Sequence, residues 1–200
     1  TIVNPPTQGV LSGEAPALIY TPNQDYNGED SFTYKTNDGT VDSLEAIVTL
    51  TVTPVNDVPV VVTQEQISTP EDIPVTTDLV VTDVDNDSLT YTVIIPPTQG
   101  VLSGEAPALI YTPNQDYNGE DSFTYKTNDG IVDSLEATVS LTVVAVNDVP
   151  VSKDLTLSTE EDIALNITLE ATDVDGDIVG SLIYTIVNPP TQGVLSGEAP

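Results

Sequence analysis

The sequence predicts an all-β chain made of tandem Greek-key β-sandwich modules that follow one another in a linear array. Three observations support this prediction. Residues 5–39 recur without one difference as residues 96–130. Short β-rich runs alternate with turn signals about every eight to twelve residues, which is typical of a sandwich. The 16 prolines are spread along the 200 residues and disfavour long helices.

The repeat determines the expected domain organisation. A third copy of the repeated segment begins at Pro189, and the second begins at Pro96. We therefore expect a complete module at residues 58–148, the C-terminal part of a module at 1–57 and the N-terminal part of another at 149–200. The first residues have the character of a module interior, so we expect the chain to be a piece of a longer array.

Several strands of the complete module can be predicted from their residue patterns. The predicted strands cover residues 89–93, 108–111, 122–126 and 135–143. Apolar and polar residues alternate in the last two, which is typical of half-buried strands and turns Phe123 and Tyr125 inward. Turns are expected at residues 118–119 and 128–130, because Gly and Asn accept a positive φ. Together these elements predict a sandwich of seven strands.

The charge balance excludes two classes of partner. The chain carries 32 acidic and 3 basic residues, a net charge of −29. Nucleic acids and anionic membranes need clustered Lys and Arg, so neither is an expected partner. No apolar run is long enough to insert into a membrane, and the first residues do not form a signal peptide. A hydrophobic content of 38% with a strong β pattern argues against disorder.

The composition also limits the metals that the chain could bind. Cys, His, Met and Trp are all absent. Zinc, copper and iron–sulfur sites therefore lack their usual sulfur and imidazole ligands. Carboxylate and carbonyl oxygens remain, and these are the ligands that calcium prefers. A small module without disulfides would have to use a metal if it needs a cross-link.

Acidic residues alternate with other residues in two loops of related sequence. The acids are Asp83, Asp85 and Asp87 in one loop, and Asp173, Asp175 and Asp177 in the other. This spacing lets several carboxylate oxygens converge on one Ca²⁺ ion, although the Glu at position twelve of an EF-hand is missing. The acids persist where the two copies have otherwise diverged. The alternative is a solvated acidic turn without an ion.

The order of several short motifs resembles that of cadherin-like repeats, most closely the tandem cadherin-like or Ig-like modules of giant bacterial surface adhesins. The segments that carry the resemblance are 69–72, 82–85, 118–123, 127–130 and 146–150. They look like the Pro-Glu-Asn, Ala-x-Asp-x-Asp, Asp-Arg-Glu and Ala-x-Asp-x-Gly motifs and the interdomain linker of cadherins. The resemblance extends over the whole chain, and the ordered set is more specific than any one motif.

The resemblance implies Ca²⁺ at the junctions between modules. At the second junction the matching ligands are Glu71, Glu120, Asp121, Asn147, Asp148, Asp173 and Asp175. At the first junction they are Glu29, Asp30, Asn56, Asp57, Asp83, Asp85 and Asp129. Asp87 and Asp177 could instead complete a site local to one module. Thr53 and Val144 replace the leading aspartate of the linker, which favours one or two ions over the three of cadherins.

These features predict a structural spacer or stalk of a large extracellular adhesin or surface filament, stiffened by Ca²⁺ and supporting cell adhesion at the cell surface. The expected partners are neighbouring repeats of the same chain and copies of the chain in a filament or bundle. The alternative is a module that binds cell-surface glycans or recognises its own kind on another cell. An enzyme is not expected, because carboxylates recur in the turns of every module without any His.

Overall fold

The computed structural model of the chain describes residues 1–62, 64–175 and 182–197. Sixteen β-strands and no helix occur in these residues, which confirms the predicted all-β class. Nothing in this described part could cross a membrane as a long apolar helix. The chain divides into two compact units, and the first comprises Thr1–Val62, Val81–Thr92 and Lys126–Glu136. The second unit comprises the rest of the described residues. The predicted module boundaries stay a prediction.

The first unit begins with five strands. They are β1 (Ile2–Asn4), β2 (Gly9–Glu14), β3 (Ala17–Pro22), β4 (Gly28–Tyr34) and β5 (Ala46–Val52). One sheet has the order β1-β4-β5 and the other is the hairpin β2-β3, and all their pairings are antiparallel. Two short strands, β6 (Val60–Val61) and β9 (Val81–Thr82), also pair. Within the described residues, β3 and β5 have no strand on their outer edges.

The other strands follow in chain order. They are β7 (Ile67–Pro70), β8 (Val75–Asp78), β10 (Thr90–Ile95), β11 (Gly100–Glu105), β12 (Ala108–Pro113), β13 (Gly119–Asn128), β14 (Ala137–Val144), β15 (Val151–Ser152) and β16 (Ala171–Thr172). Seven of them form a four-stranded sheet, β10-β13-β14-β7, and a three-stranded sheet, β11-β12-β8. β7 joins β14 in parallel, and β15 pairs with β16 antiparallel. These seven strands match the number predicted for a sandwich module.

The predicted strands are present, but two of them have clearly different bounds. The strand predicted at 122–126 is longer, because β13 covers Gly119–Asn128 and so includes parts of both predicted turns. The predicted strand at 135–143 begins two residues later, at Ala137, and Leu135 is 86% exposed. The hydroxyl of Ser134 explains the delay, because it accepts the N–H of Thr127 at 3.0 Å and donates to the carbonyl of Leu135 at 2.8 Å. These bonds hold the chain in a turn until Ala137.

The core of the second unit is built from the inward-facing residues of β12, β13 and β14. Tyr111, Phe123, Tyr125, Val139 and Leu141 are all fully buried. The period of two along a strand places Phe123 and Tyr125 on the same face, and their ring centroids lie 6.5 Å apart. Their predicted inward orientation is confirmed.

Equivalent aromatic residues are more exposed in the first unit than in the second. Tyr34 is 37% exposed, whereas Tyr125, which occupies the same place in the repeat, is 1% exposed. The sequence around both residues is identical, so the cause lies in the surrounding strands. In the second unit β7 and β8 extend the two sheets beside β14 and β12. The corresponding edges of β5 and β3 have no such cover among the described strands.

Gly100 begins β11 where the buried ring of Tyr111 passes close to the backbone. A Cβ atom on Gly100 would lie 2.5 Å from Cε2 of Tyr111 and 2.6 Å from the carbonyl oxygen of Thr112. Because the ring is fully buried, Gly100→Ala is expected to lower the free energy of unfolding by about 1–3 kcal/mol. Urea denaturation measures the effect, with the exposed Val101→Ala as the control. Equal stabilities of the two variants would contradict this account of the packing.

Candidate metal-binding sites

The first cluster of carboxylates lies in the loop that follows β9. One carboxylate oxygen from each of Asp83, Asp85 and Asp87 lies within 4.8 Å of the others. The loop is shaped by Oδ1 of Asp83, which accepts the N–H of Asp85 at 3.0 Å and the N–H of Asp87 at 3.4 Å. Between them Asn86 adopts a φ of 59°, a conformation that Asn tolerates better than most residues. The alternating spacing therefore produces the convergence that the sequence predicts.

The other oxygen of Asp83 has the character of a metal ligand. Oδ2 of Asp83 is buried and has no hydrogen-bond partner among the described groups. A buried carboxylate oxygen without a donor is costly, and a cation would satisfy it. The side-chain ligands in this cluster are all carboxylates, which suit Ca²⁺ rather than a softer metal. The residues of the first cluster thus fit a calcium ion.

The segment before β6, which contains Asn56 and Asp57, is hydrogen-bonded to two loops of the first unit. The N–H of Asp57 donates to Oδ2 of Asp85 at 2.7 Å. The side-chain amide of Asn56 donates to Oδ2 of Asp129 at 2.9 Å. This bond, followed by N–H groups of its own turn, holds the pKa of Asp129 below its ordinary value although burial acts in the opposite direction. The linker residues and the acidic loops named by the sequence are therefore brought together.

The second cluster lies in the second unit and consists of Glu71, Asp148 and Asp175, with oxygens within 4.8 Å of one another. Glu71 follows β7 and is buried, and its N–H donates to the carbonyl of Val144 at 2.9 Å. Its side chain accepts the N–H of Val146. Oδ2 of Asp175 accepts the N–H of Asp148 at 2.7 Å. Backbone bonds thus hold all three acids in place.

The pKa of Asp148 reflects the repulsion among the acids of the second cluster. Partial burial, followed by the charges of Asp116, Asp175, Glu71 and Asp72, raises the pKa of Asp148 above its ordinary value. No basic side chain is among the groups that shift this pKa. Because like charges disfavour ionisation, a divalent cation at this place would relieve the repulsion.

Two acids beside the second cluster, Asp72 and Asp116, were not among the ligands predicted from the sequence. Both have a positive φ, 62° and 57°, and Oδ1 of Asp72 accepts the N–H of Asp116 at 3.1 Å. The equivalent of Asp116 in the first unit is Asp25, which lines a cavity of about 300 Å³ together with Asp57 and Asp85. An aspartate in a turn between Asn-Gln and Tyr was a signal that could have identified this position.

Two predicted ligands, Asp121 and Asp30, lie outside both clusters. The carboxylate of Asp121 accepts the N–H of Thr98 at 3.0 Å, the N–H of Gln99 at 2.9 Å and the hydroxyl of Tyr111 at 2.9 Å. Asp30 accepts the equivalent three bonds. Burial, followed by the hydrogen bond to Asp30, raises the pKa of Tyr20 to about 12. The geometry gives these two aspartates an internal hydrogen-bonding role.

The other predicted ligands are placed as follows. Glu120 accepts bonds from Gln66 at 2.7 Å and from Thr142 at 3.1 Å, and it belongs to neither cluster. The amide of Asn147 donates to the carbonyl of Asp148 at 2.7 Å, and Oδ1 of Asp173 accepts the N–H of Asp175 at 3.1 Å. Glu29 lies on β4 outside both clusters, and Asp177 lies outside the described residues. Their roles as ligands stay predictions.

The chain matches one protein family and is similar in sequence to several curated proteins. A family described as "Bacterial Ig domain" matches residues 1–51 and 56–142. The chain is 28% identical over 197 residues to "Extracellular matrix protein 3" of Lytechinus variegatus, covering 84% of this chain and 6% of that protein. It is 30% identical over 151 residues to "Integrin beta-like protein A" of Dictyostelium discoideum, covering 62% and 8%. The chain therefore spans less than a tenth of the length of these curated relatives.

A solved structure shares the fold. The crystal structure of human mucin-like protocadherin EC1-2 matches with a TM-score of 0.52 at 22% sequence identity, covering 73% of this chain and 83% of that one. At this level of identity the match is informative about the fold alone. The described strands are thus those of cadherin-like and Ig-like sandwich modules.

Proposed function

Because the chain belongs to the bacterial Ig domain family, we propose that it is part of an extracellular stalk whose consecutive modules are joined and stiffened by Ca²⁺. Two observations support an extracellular location and a role in adhesion. The relatives named above include an extracellular matrix protein and an integrin beta-like protein. The oxygen-only clusters suit a weakly bound calcium ion, which needs the calcium concentration found outside cells.

The proposal rests on one type of hydrogen bond, which occurs twice in the chain. An aspartate of the linker donates its N–H to an aspartate of the following acidic loop at 2.7 Å, in Asp57–Asp85 and again in Asp148–Asp175. The carboxylates of the second pair also lie within 4.8 Å of each other although they repel, and in the first pair the Asp85 carboxylate lies against the backbone of Asp57. A divalent ion between them would bind the linker to the loop of the next module, so that the junction becomes stiffer when calcium is present.

The residues that would hold the ion differ slightly between the two junctions. At the second junction they are Glu71, Asp148 and Asp175. At the first junction Asp57 would join the loop acids Asp83 and Asp85, whose geometry is described above. When bound, Ca²⁺ supplies a divalent charge that cross-links carboxylates. The residues of the chain position those carboxylates through the backbone hydrogen bonds already named.

The near-identity of the repeats supports a spacer. A spacer needs length rather than diversity, and tandem modules derive much of their stability from contact with their neighbours. In this proposal residues 58–148 are one complete module of the array. The net charge of −29 opposes side-by-side bundling of such chains unless cations screen it. The glycan-binding alternative stays a prediction, and a glycan array with and without Ca²⁺ would test it.

Calcium titration by calorimetry, combined with small-angle scattering with and without EGTA, tests the proposal. We expect dissociation constants of roughly 10⁻⁴–10⁻³ M, as for other extracellular calcium modules. The maximum dimension is expected to increase when the ion is added, because the bridged junctions stop flexing. If neither heat nor dimension responds to Ca²⁺, the acids form only a solvated surface and the proposal is wrong.

A single substitution makes the test specific. Asp148→Asn removes one charged ligand of the second cluster, so affinity at this junction is expected to fall about tenfold. Glu105→Gln is the matched control, because it makes the same change of charge at an exposed residue outside both clusters. Equal calcium affinities of the two variants would contradict the assignment of Asp148.

A further inference from the structure

The sandwich of seven strands, which lies within residues 67–144, has four edge strands among the described residues. They are β7 and β10 on one sheet and β8 and β11 on the other. A proline or a charged residue on an edge strand hinders pairing with another chain. β7 ends with Pro70, β8 with Asp78 and β11 with Glu105. β10 has neither kind of residue in its six positions, Thr90–Ile95, so it is the unprotected edge of this sandwich.

The C-terminal half of β10 is apolar and exposed. Val93 and Ile94 are each 38% exposed, and Ile95 is 56% exposed. The N–H of Ile95 donates to Oγ1 of Thr124 on the neighbouring β13 at 3.2 Å, so this end of the strand is held in the sheet. An apolar edge strand that is fixed in extended form offers both backbone hydrogen bonds and hydrophobic burial to a strand that is added beside it.

The absence of charge around β10 indicates which strand could be added. Residues 88–104 contain no acidic or basic side chain, in a chain whose net charge is −29. A basic partner would be attracted more strongly to the acidic loops than to this strand. A second copy of the chain is repelled by those loops, and an uncharged strand is where two copies can meet with the least repulsion. The charge pattern therefore favours a second copy as the occupant.

Ile95 distinguishes this copy of the repeat from the other two. Its equivalents are Asn4 and Asn188. Asn4 makes the same backbone bond, because its N–H donates to Oγ1 of Thr33 at 3.2 Å, and its side-chain amide donates to the same oxygen at 2.8 Å. An asparagine thus fits the sheet at this position. The fold does not require the exposed isoleucine, whose side chain is available for contact with another molecule.

We propose that β10 pairs antiparallel with β10 of a second copy across a two-fold axis at Val93, so that two four-stranded sheets join into one sheet of eight strands. In this register Tyr91 of each copy lies opposite Ile95 of the other, a combination of aromatic and β-branched residues that stabilises adjacent strands. An axis at Ile94 would instead bring Pro96, which has no N–H, into the ladder. The contact uses the same surface of both copies and closes as a dimer.

The antiparallel direction also separates the acidic loops of the two copies. The loop of Asp83, Asp85 and Asp87 precedes β10 in the chain. Thr90, the first residue of β10, is three residues from the axis. At roughly 3.4 Å per residue, the two Thr90 residues lie about 20 Å apart. This exceeds the screening length of about 10 Å at 0.1 M salt, whereas parallel pairing would place the two loops side by side.

The contact depends on strand pairing rather than on calcium, so the two proposals can fail separately. Mass is measured by sedimentation equilibrium of the whole chain in EGTA, at raised salt that screens the net charge of −29. One added strand buries less surface than the roughly 1,600 Å² of a standard interface, so concentrations up to roughly 1 mM are needed. We expect the mean mass to rise from that of the monomer towards twice that value and to stop there. A monomer at every concentration, or growth beyond the dimer, would overturn this proposal and leave the calcium proposal untouched.

A matched pair of variants tests the location of the contact. Ile95→Glu places a charge in the paired edge, so the association constant is expected to fall at least about tenfold. Val101→Glu makes the same change of charge on β11, the edge strand of the other sheet, where Val101 is 60% exposed, and the association constant is expected to stay unchanged. Ile95→Asn introduces the residue of the other two copies and is expected to weaken the dimer without loss of fold. Equal association of the two Glu variants would overturn the proposal.

A single engineered cysteine tests the two-fold axis. The chain has no Cys, so Val93→Cys can form a disulfide only with the same residue of a second copy. Residues directly opposite each other in an antiparallel pair have Cα atoms about 4.5–5.5 Å apart, which is within the range of a disulfide. We expect a covalent dimer of Val93→Cys under mild oxidation, and little of it in the control Val101→Cys. Equal yields of covalent dimer from the two variants would show that β10 does not pair with itself.

Discussion

Asp121→Ala is expected to lower the free energy of unfolding of the second unit by about 4 kcal/mol. Its carboxylate accepts N–H groups of Thr98, Gln99 and Ser122 and the hydroxyl of Tyr111. Hydrogen bonds to a charged group contribute roughly 1.5–3 kcal/mol each, and a donor left buried without a partner adds a penalty. The variant removes the acceptor from several donors at once, so this effect exceeds that of an ordinary surface substitution.

The same network predicts a dependence of stability on pH. Burial alone would raise the pKa of Asp121, but the bonds from Thr98, Ser122, Gln99 and Tyr111 outweigh it and lower the pKa below the ordinary value of 3.8. A lowered pKa means that the ionised group stabilises the fold above about pH 3.8, and that this stabilisation is lost as the pH falls through the lowered pKa. Asp121→Asn is expected to remove that part of the acid dependence.

Urea denaturation followed by tyrosine fluorescence, at several values of pH, measures both effects. Ser122→Ala is the control, because Ser122 is the next residue on β13 and its side chain is exposed. A stability of Asp121→Ala within experimental error of the control would show that the network contributes little. An unchanged acid dependence in Asp121→Asn would show that other acids determine it.

Leu141→Ala is expected to lower the free energy of unfolding by about 3–4 kcal/mol, within the range of roughly 2–5 kcal/mol for a buried leucine, because it leaves a cavity. Leu50→Ala makes the same change at the equivalent position of the first unit. Leu50 is only half-buried, so we expect roughly half that cost. The two variants therefore compare one substitution in two surroundings that differ mainly in the strand beside them.

Native-state hydrogen exchange can assign each loss to its own unit, because it reports the opening of individual strands. The amides of β14 are expected to lose protection in Leu141→Ala, and the amides of β5 in Leu50→Ala. Equal losses at the two positions would contradict the account of why their burial differs.

Much of the fold could be predicted because its signals are local. The alternation of apolar and polar residues identifies β13 and the inward direction of Phe123 and Tyr125. The same alternation places Asp121 on the inward face, since it precedes Phe123 by two residues. Periodicity therefore predicts the buried hydrogen-bonding position of Asp121, and its role as an ion ligand, which the motif resemblance implies, stays a prediction.

The acidic loop could be predicted for the same reason, whereas the members of the second cluster were predicted only through the motif resemblance. Asp83, Asp85 and Asp87 converge because short-range hydrogen bonds bend one loop. Glu71 and Asp148 are far apart in sequence and meet because β7 pairs with β14 and carries Glu71 to the linker. Asp116 reaches the same place through a turn between two other strands. Such meetings depend on strand order, which no local pattern specifies.

The parallel pairing of β7 and β14 has a mechanical consequence. Residues Ile67–Pro70 lie beside Leu141–Val144 in the same direction, near the two ends of the predicted module. Tension applied between those ends pulls the two strands past each other along their length. The hydrogen bonds of this pair then carry the load together in shear, rather than opening one after another as in a hairpin pulled from its ends. For a module in an adhesive stalk, resistance to force would therefore depend on this one short ladder and on its unfolding rate under load.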